Sequence, residues 1–175
     1  MDSGKLDNAK ILEGIKRGYE IRGEIINNTI LVERVADGFI SVYFLGESAK
    51  RLELMELIIC DRMDLSLKFD AVISILKKRC KNKSIDFKKS FPKIAEDFQI
   101  ICKDRNKFAH NLMFPNAWNF TNNTVISLIK FRDVAEIVNY SDEKYKQILK
   151  RLEHYKELLE KITDEILDEG EIPTP

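Results

Sequence analysis

The sequence predicts an all-α fold, a bundle of about five helices with a small β-hairpin inserted before the last one. Three observations carry this. First, apolar residues recur at steps of three and four, the spacing of one helix face, and most regularly in Tyr145, Ile148, Leu152, Tyr155, Leu159, Ile162 and Ile166. Second, the period changes to that of strands in one place, after Phe114-Pro115. Third, 175 residues at 44% hydrophobic and 33% charged suit a single globular domain with one core, spanning residues 1–175 and ordered over about 6–168.

The elements follow in order. A long first helix runs from about Leu6 to Leu45, with Gly14 and Gly18 as places where it could break. Its apolar face is read as Ile15, Tyr19, Ile26, Ile30, Val35, Phe39, Tyr43 and Phe44. Asn27-Asn28-Thr29 has low helix propensity and works against that continuity. Gly46 is a natural stop. A second helix covers Ser48 to Asp61, with Leu52, Met55, Ile58 and Ile59 inward, and a third runs from Ser66 to Arg79. Lys81-Asn82-Lys83-Ser84 makes a polar linker. Ser90 is placed to cap the fourth helix, with Pro92 tolerated in its first turn. Trp118 and Phe120, then Asn122-Asn123, then Val125 to Phe131 read as the hairpin. The last helix starts at Ser141, with Asp142 and Glu143 at its positive end, and stops at Gly170. His154 falls off its seam and reads as exposed and inert.

The fourth helix carries the chemistry. Ile94, Phe98, Ile101, Phe108 and Leu112 form its stripe, and the missing member is Arg105. A second line, Ala95, Phe98, Cys102, Ala109 and Met113, has its gap at Asn106. Burying such groups unpaired is costly, so they need partners or a cleft. Glu33 is one core carboxylate that Arg105 could pair with, in a purely structural role. Gln99, Lys103, Asn106 and His110 form a polar line alongside. Arginine grips phosphate with charge and a forked set of donors, and histidine moves protons near neutral pH. Arg105 and His110 stand about 140° apart around an ideal helix. Either the helix loosens between them, or each works with residues from elsewhere, including a second subunit.

Formal net charge is zero but unevenly spread. From Lys77 to Arg105 ten basic residues face four acidic ones, a net of +6. Lys77, Lys78, Arg79, Lys81 and Lys103 are the candidates for holding a nucleic-acid backbone; the alternative is a solvated surface. The segment after Lys156 is acidic, with Glu157, Glu160, Asp164, Glu165, Asp168, Glu169 and Glu171. No apolar run is long enough to predict a membrane span, and the first residues lack a signal-peptide pattern. Cys60, Cys80 and Cys102, odd in number and far apart, suggest reduced thiols and a cytoplasmic setting. No Cys/His spacing or Gly-rich loop predicts a metal or another cofactor. Tyr43, Trp118 and Phe120 have the faces to stack on bases, but core packing is the expected role.

The segment Arg105-Asn106-Lys107-Phe108-Ala109-His110 resembles the motif of the HEPN superfamily of all-helical domains. That motif is Arg, four to six residues, then His, commonly with Asn, Asp or His directly after the Arg. Asp64 to Ile73 also looks like the segment that opens the preceding helix in several branches, so the resemblance covers about residues 10–168. It implies a homodimer in which two Arg/His motifs share a cleft. It implies a metal-independent endoribonuclease, a toxin or phage-defence effector, leaving a 2′,3′-cyclic phosphate. His110 would be general acid or base, Arg105 would neutralise the phosphorane, and Asn106 would orient a phosphate oxygen or His110. An antitoxin or regulatory protein is an implied partner. One branch has Tyr two positions after the His; Leu112 stands there, which departs from that mode of control. The alternative is a non-catalytic interaction domain of the same family, binding RNA or a protein. Such members usually lose the Arg or the His, and this chain keeps both.

Overall fold

The computed structural model describes residues 8–114, 124–131 and 135–169. It is mostly helical. The order is α1 (Asn8–Leu45), α2 (Lys50–Leu54) running into a π-helical turn (Met55–Cys60), α3 (Leu65–Asn82), α4 (Phe87–Ser90), α5 (Ile94–His110), β1 (Leu112–Phe114), β2 (Thr124–Phe131), β3 (Ala135–Ser141) and α6 (Asp142–Asp168). The described residues form two compact units. The first holds the chain up to Asn28 and Lys103–Lys150; the second holds Thr29–Cys102 and the chain from Arg151 on.

Helix α1 is unbroken through Gly14, Gly18 and the Asn27-Asn28-Thr29 run. Asn28 donates from Nδ2 to the Glu24 carbonyl at 2.9 Å, a bond that keeps its polar side chain on the helix. Gly46 ends the helix as expected, with φ of 55° and its N–H bonded to the Val42 carbonyl at 2.8 Å. The buried face is Ile21, Ile25, Val32, Ala36, Phe39 and Tyr43. This corrects the sequence reading for Tyr19, Ile30 and Phe44, which are exposed at 62%, 46% and 52%. The helix carries two apolar stripes side by side, and periodicity alone does not say which of them meets the core.

The second helix is also rearranged. The π-helical turn widens its last part, so Ile59 faces inward while Leu52 and Ile58 stay exposed. The same turn delivers Cys60, whose thiol donates to Asp37 Oδ2 at 3.6 Å and accepts from Arg34 Nη1 at 3.3 Å.

Helix α3 is capped by Asp64, which accepts from the Leu67 N–H at 2.9 Å, and it runs to Asn82 rather than Arg79. Its inward face includes a cation. Lys68, 3% exposed, places Nζ 2.6 Å from Glu33 Oε1 and 2.9 Å from Asp37 Oδ1. Burial pulls its pKa down, but the hydrogen bonds and charges of Glu33 and Asp37 outweigh burial and raise it. Lys68 is therefore a fixed positive charge between two carboxylates. Helix α4 was not foreseen. Asp86 caps it, and Ser90 is its last residue rather than the cap of α5.

The core of the second unit is aromatic. Phe69 and Phe98 stack with centroids 3.9 Å apart, and Tyr155 meets Phe98 edge-on at 5.0 Å. Asp97, on the turn that carries Phe98, accepts from Arg151 Nε at 2.9 Å and from the Tyr155 hydroxyl at 2.7 Å. Every member of the predicted α6 seam is buried. The Ser141 hydroxyl accepts from the Lys144 N–H at 3.2 Å, the cap expected at the start of that helix.

The β insertion is larger than a hairpin. Its order is β1-β2-β3, all antiparallel, with Met113 opposite Leu128 and Leu128 opposite Val138. Ile126, Ser127, Leu128 and Ile129 of β2 are all buried, which is why this strand reads as a continuous apolar run. Trp118, Phe120 and the Asn122-Asn123 pair lie outside the described residues.

Removing Lys68 leaves two carboxylates without their buried cation. Lys68→Met should cost about 3–5 kcal/mol in urea unfolding, and adding Asp37→Asn should recover a substantial part. A Lys68→Met protein as stable as wild type would show that the cluster contributes nothing.

Candidate functional site

The first unit holds the end of α5 with Lys103, Arg105, Asn106 and His110. The helix is regular through His110 and closes with the Asn111 N–H on the Lys107 carbonyl at 3.1 Å. It does not loosen between Arg105 and His110. The two side chains therefore leave one helix about 140° apart.

Asn106 and His110 are exposed and Arg105 is half-buried. Arg105 donates from Nη1 to Asn106 Oδ1 at 3.1 Å. Among the described residues its hydrogen-bond partner is thus a neutral amide. Glu33, considered above as its partner, belongs to the second unit and is bonded to Lys68.

The buried polar residue of the stripe is Asp104, not Arg105. Asp104 forms an ion pair with Lys107 at 3.7 Å, and its charge reaches Tyr140 of β3. The Tyr140 ring lies 4.9 Å from that of Phe108, with Lys144 Nζ 4.7 Å above it. Its hydroxyl is buried without a hydrogen-bond partner among the described residues. Burial first, and then the Asp104 charge, push the Tyr140 phenol up to about 12.

Arg22 is the residue that sequence reasoning missed. It donates from Nη2 to the Ala109 carbonyl at 2.7 Å, capping the last turn of α5 next to His110. Nothing local marks it, because the contact joins residues far apart in the chain. Gly18, on the same helix, is closely approached by β1: a Cβ there would lie 2.7 Å from Met113 Sδ, so the thioether end of Met113 would have to shift. Further along, the Tyr145 hydroxyl donates to Glu24 Oε2, and Arg17 lies 5.8 Å above the Tyr145 ring.

The basic row divides by placement. Lys77, Lys78 and Lys81 are exposed on α3 in the second unit, with Lys77 Nζ 5.6 Å from the centre of the Phe87 ring. Arg79 is turned inward and meets Glu169 at 3.3 Å, so it does not share their solvent-facing row. Lys103 is exposed in the first unit. His154 is exposed, as expected, yet it lines a cavity of about 270 Å³ with Phe91, Lys93, Asp97, Tyr155 and Leu158. Tyr43 is a core residue. Among the described residues, no group of three or more His, Cys, Asp or Glu side chains is placed to hold a metal ion, and no helix is long and apolar enough to cross a membrane.

No protein-family model, curated protein or solved structure matches the chain.

The tyrosines provide a test of packing in the first unit. Tyr140 and Tyr145 are both pushed up to about 12, by burial first, then by Asp104 and by the Glu24 bond respectively. Raised values mean that the folded state holds more protons than the unfolded state above pH 10. Their contribution to stability is complete below about 10 and is lost as pH rises toward about 12. Ultraviolet titration should show three phenols resisting ionisation at pH 11, Tyr140, Tyr145 and also Tyr155 of the second unit, which burial and its bond to Asp97 push up as well, and all three then ionising as the fold is lost. Complete tyrosinate formation by pH 11 in still-folded protein would contradict this packing.

Proposed function

We propose that the chain is an endoribonuclease of the HEPN type, cutting RNA without a metal ion and acting in the cytoplasm as a toxin or phage-defence effector. The observation that carries this reading is the state of the motif at the end of α5. His110 and Asn106 are exposed, and among the described residues the Arg105 guanidinium is met by an amide rather than a carboxylate. Its positive charge is thus left to act on a phosphate. The RNA 2′-hydroxyl attacks the adjacent phosphorus, the 5′-oxygen leaves, and a 2′,3′-cyclic phosphate remains. His110 transfers a proton as acid or base, Arg105 stabilises the charge on the phosphorane, and Asn106 orients Arg105 or a phosphate oxygen. Lys103 and the exposed Lys77, Lys78 and Lys81 hold the backbone. An antitoxin or regulatory protein would keep such an activity in check.

The unbroken α5 favours a homodimer. If Arg105 of one copy works with His110 of the other, their divergence on one helix becomes an advantage. Light scattering should give a dimer. Mixing Arg105→Ala with His110→Ala protein should restore roughly a quarter of wild-type activity, because half of the dimers carry one intact composite site. A fully active monomer would sink the two-copy site.

The chemistry is tested by substitution. His110→Ala and Arg105→Ala should each lose about two to four orders of magnitude in cleavage rate while melting near wild type. Arg105→Lys should recover little, since a point charge does not replace the planar fork. The losses should not add in the double variant. If His110→Ala lowers the melting temperature sharply and its folded fraction cuts as before, or if wild type does not cut RNA at all, the interaction-domain reading wins.

A further inference from the structure

We propose that Arg79 and Lys83, at the end of α3, form a phosphate-binding site that the chain holds closed with its own Glu169. Three side chains of the second unit meet there. Lys83 Nζ lies 2.5 Å from both carboxylate oxygens of Glu169, and Arg79 Nη2 lies 3.3 Å from Oε2. The arrangement is that of an anion site occupied by an internal carboxylate. Two cations of different chemistry converge on one pair of oxygens, as they would on the two non-bridging oxygens of a phosphate.

The two sides of the contact differ in rigidity. Arg79 is 6% exposed, set in the buried face of α3 beside Leu76 and Cys80. Lys83 is fixed as the C-cap of that helix, its N–H on the Arg79 carbonyl at 3.0 Å. The following turn is closed by the Ile85 N–H on the Cys80 carbonyl at 2.8 Å. Glu169, by contrast, is exposed, one residue past the end of α6, held by its own N–H to the Glu165 carbonyl at 3.1 Å. Helix ends fray at little cost, whereas a buried guanidinium stays where the core puts it and keeps its need for a counter-charge. The carboxylate is the part that can leave. When it does, a phosphate group can take its place. One residue of the acidic C-terminal segment thus covers two of the basic stretch. The site stands on this geometry whether or not Arg105 and His110 cut RNA.

The test uses the full chain with Arg105→Ala in every protein, so that no RNA is cut. Binding of a labelled single-stranded oligoribonucleotide is followed by fluorescence anisotropy across a salt series, and melting is followed in sodium phosphate against sodium chloride at equal ionic strength. Glu169→Gln should bind RNA about tenfold more tightly at low salt, with a slope of log K against log salt steeper by about 0.7 for each phosphate gained. Adding Lys83→Gln should return both to the starting values. Phosphate should raise the melting temperature of Glu169→Gln more than that of its parent. Stabilisation by inorganic phosphate without a gain in RNA binding assigns the site to free phosphate rather than to a phosphodiester. If Glu169→Gln folds poorly, recovery of folding in phosphate but not in chloride supports the site, and no recovery overturns it. A folded Glu169→Gln protein with unchanged RNA affinity, salt slope and phosphate response overturns it as well.

Discussion

The geometry of the candidate site depends on α5 remaining a regular helix from Ile94 to His110. A helix turns about 100° per residue, so its regularity decides which polar groups can act together. Near its start, Asp97 is gripped by Arg151 and Tyr155, and Phe98 is stacked on Phe69. Near its end, Phe108 packs on Tyr140, and Arg22 bonds the Ala109 carbonyl. As a regular helix, α5 keeps Arg105 and His110 apart. Asn106 and His110 share a face, one turn apart, while Arg105 is turned aside and tied to Asn106. This is why a single copy presents Arg105 and His110 in different directions.

Cations in this chain fall into two kinds, and burial separates them. Lys68 and Arg79 are almost fully inside, Lys68 within ion-pair distance of two carboxylates and Arg79 of Glu169. Lys77, Lys78, Lys81 and Lys103 are exposed. The first kind fixes helices, since leaving either cation uncompensated would be costly. The second kind is left facing solvent. In sequence the two look alike, and only packing sorts Arg79 from its neighbours.

What the sequence revealed follows the same division between local and distant causes. The α6 seam was legible residue by residue, because a single apolar stripe on a long helix has one interpretation. Helix α1 was legible as a helix but not in its facing, since Tyr19 and Ile30 lie on a second stripe that periodicity ranks equally with the first. The three-stranded sheet was read as a hairpin because β1 is only three residues long and β3 mixes polar and apolar residues without a turn signal of its own. At the motif, spacing pointed to a polar break in the α5 stripe and placed it at Arg105. The buried member is Asp104, one position earlier, because a long guanidinium can reach the edge of a buried face while a short carboxylate cannot.

Arg22 marks the limit of local reading most clearly. A short motif specifies which groups are present, but not whether the segment that carries them is rigid. The last turn of a helix leaves carbonyls without partners and frays readily. His110 sits on that turn, exposed, where a loose end would spread its imidazole over many positions. The guanidinium from α1 supplies the missing donor at Ala109 and fixes the turn. A group that must meet a phosphorane within a fraction of an ångström needs such support as much as it needs the right chemistry. For this reason the residue that makes His110 usable in the proposed reaction stands on a different helix, 87 positions from the carbonyl it holds.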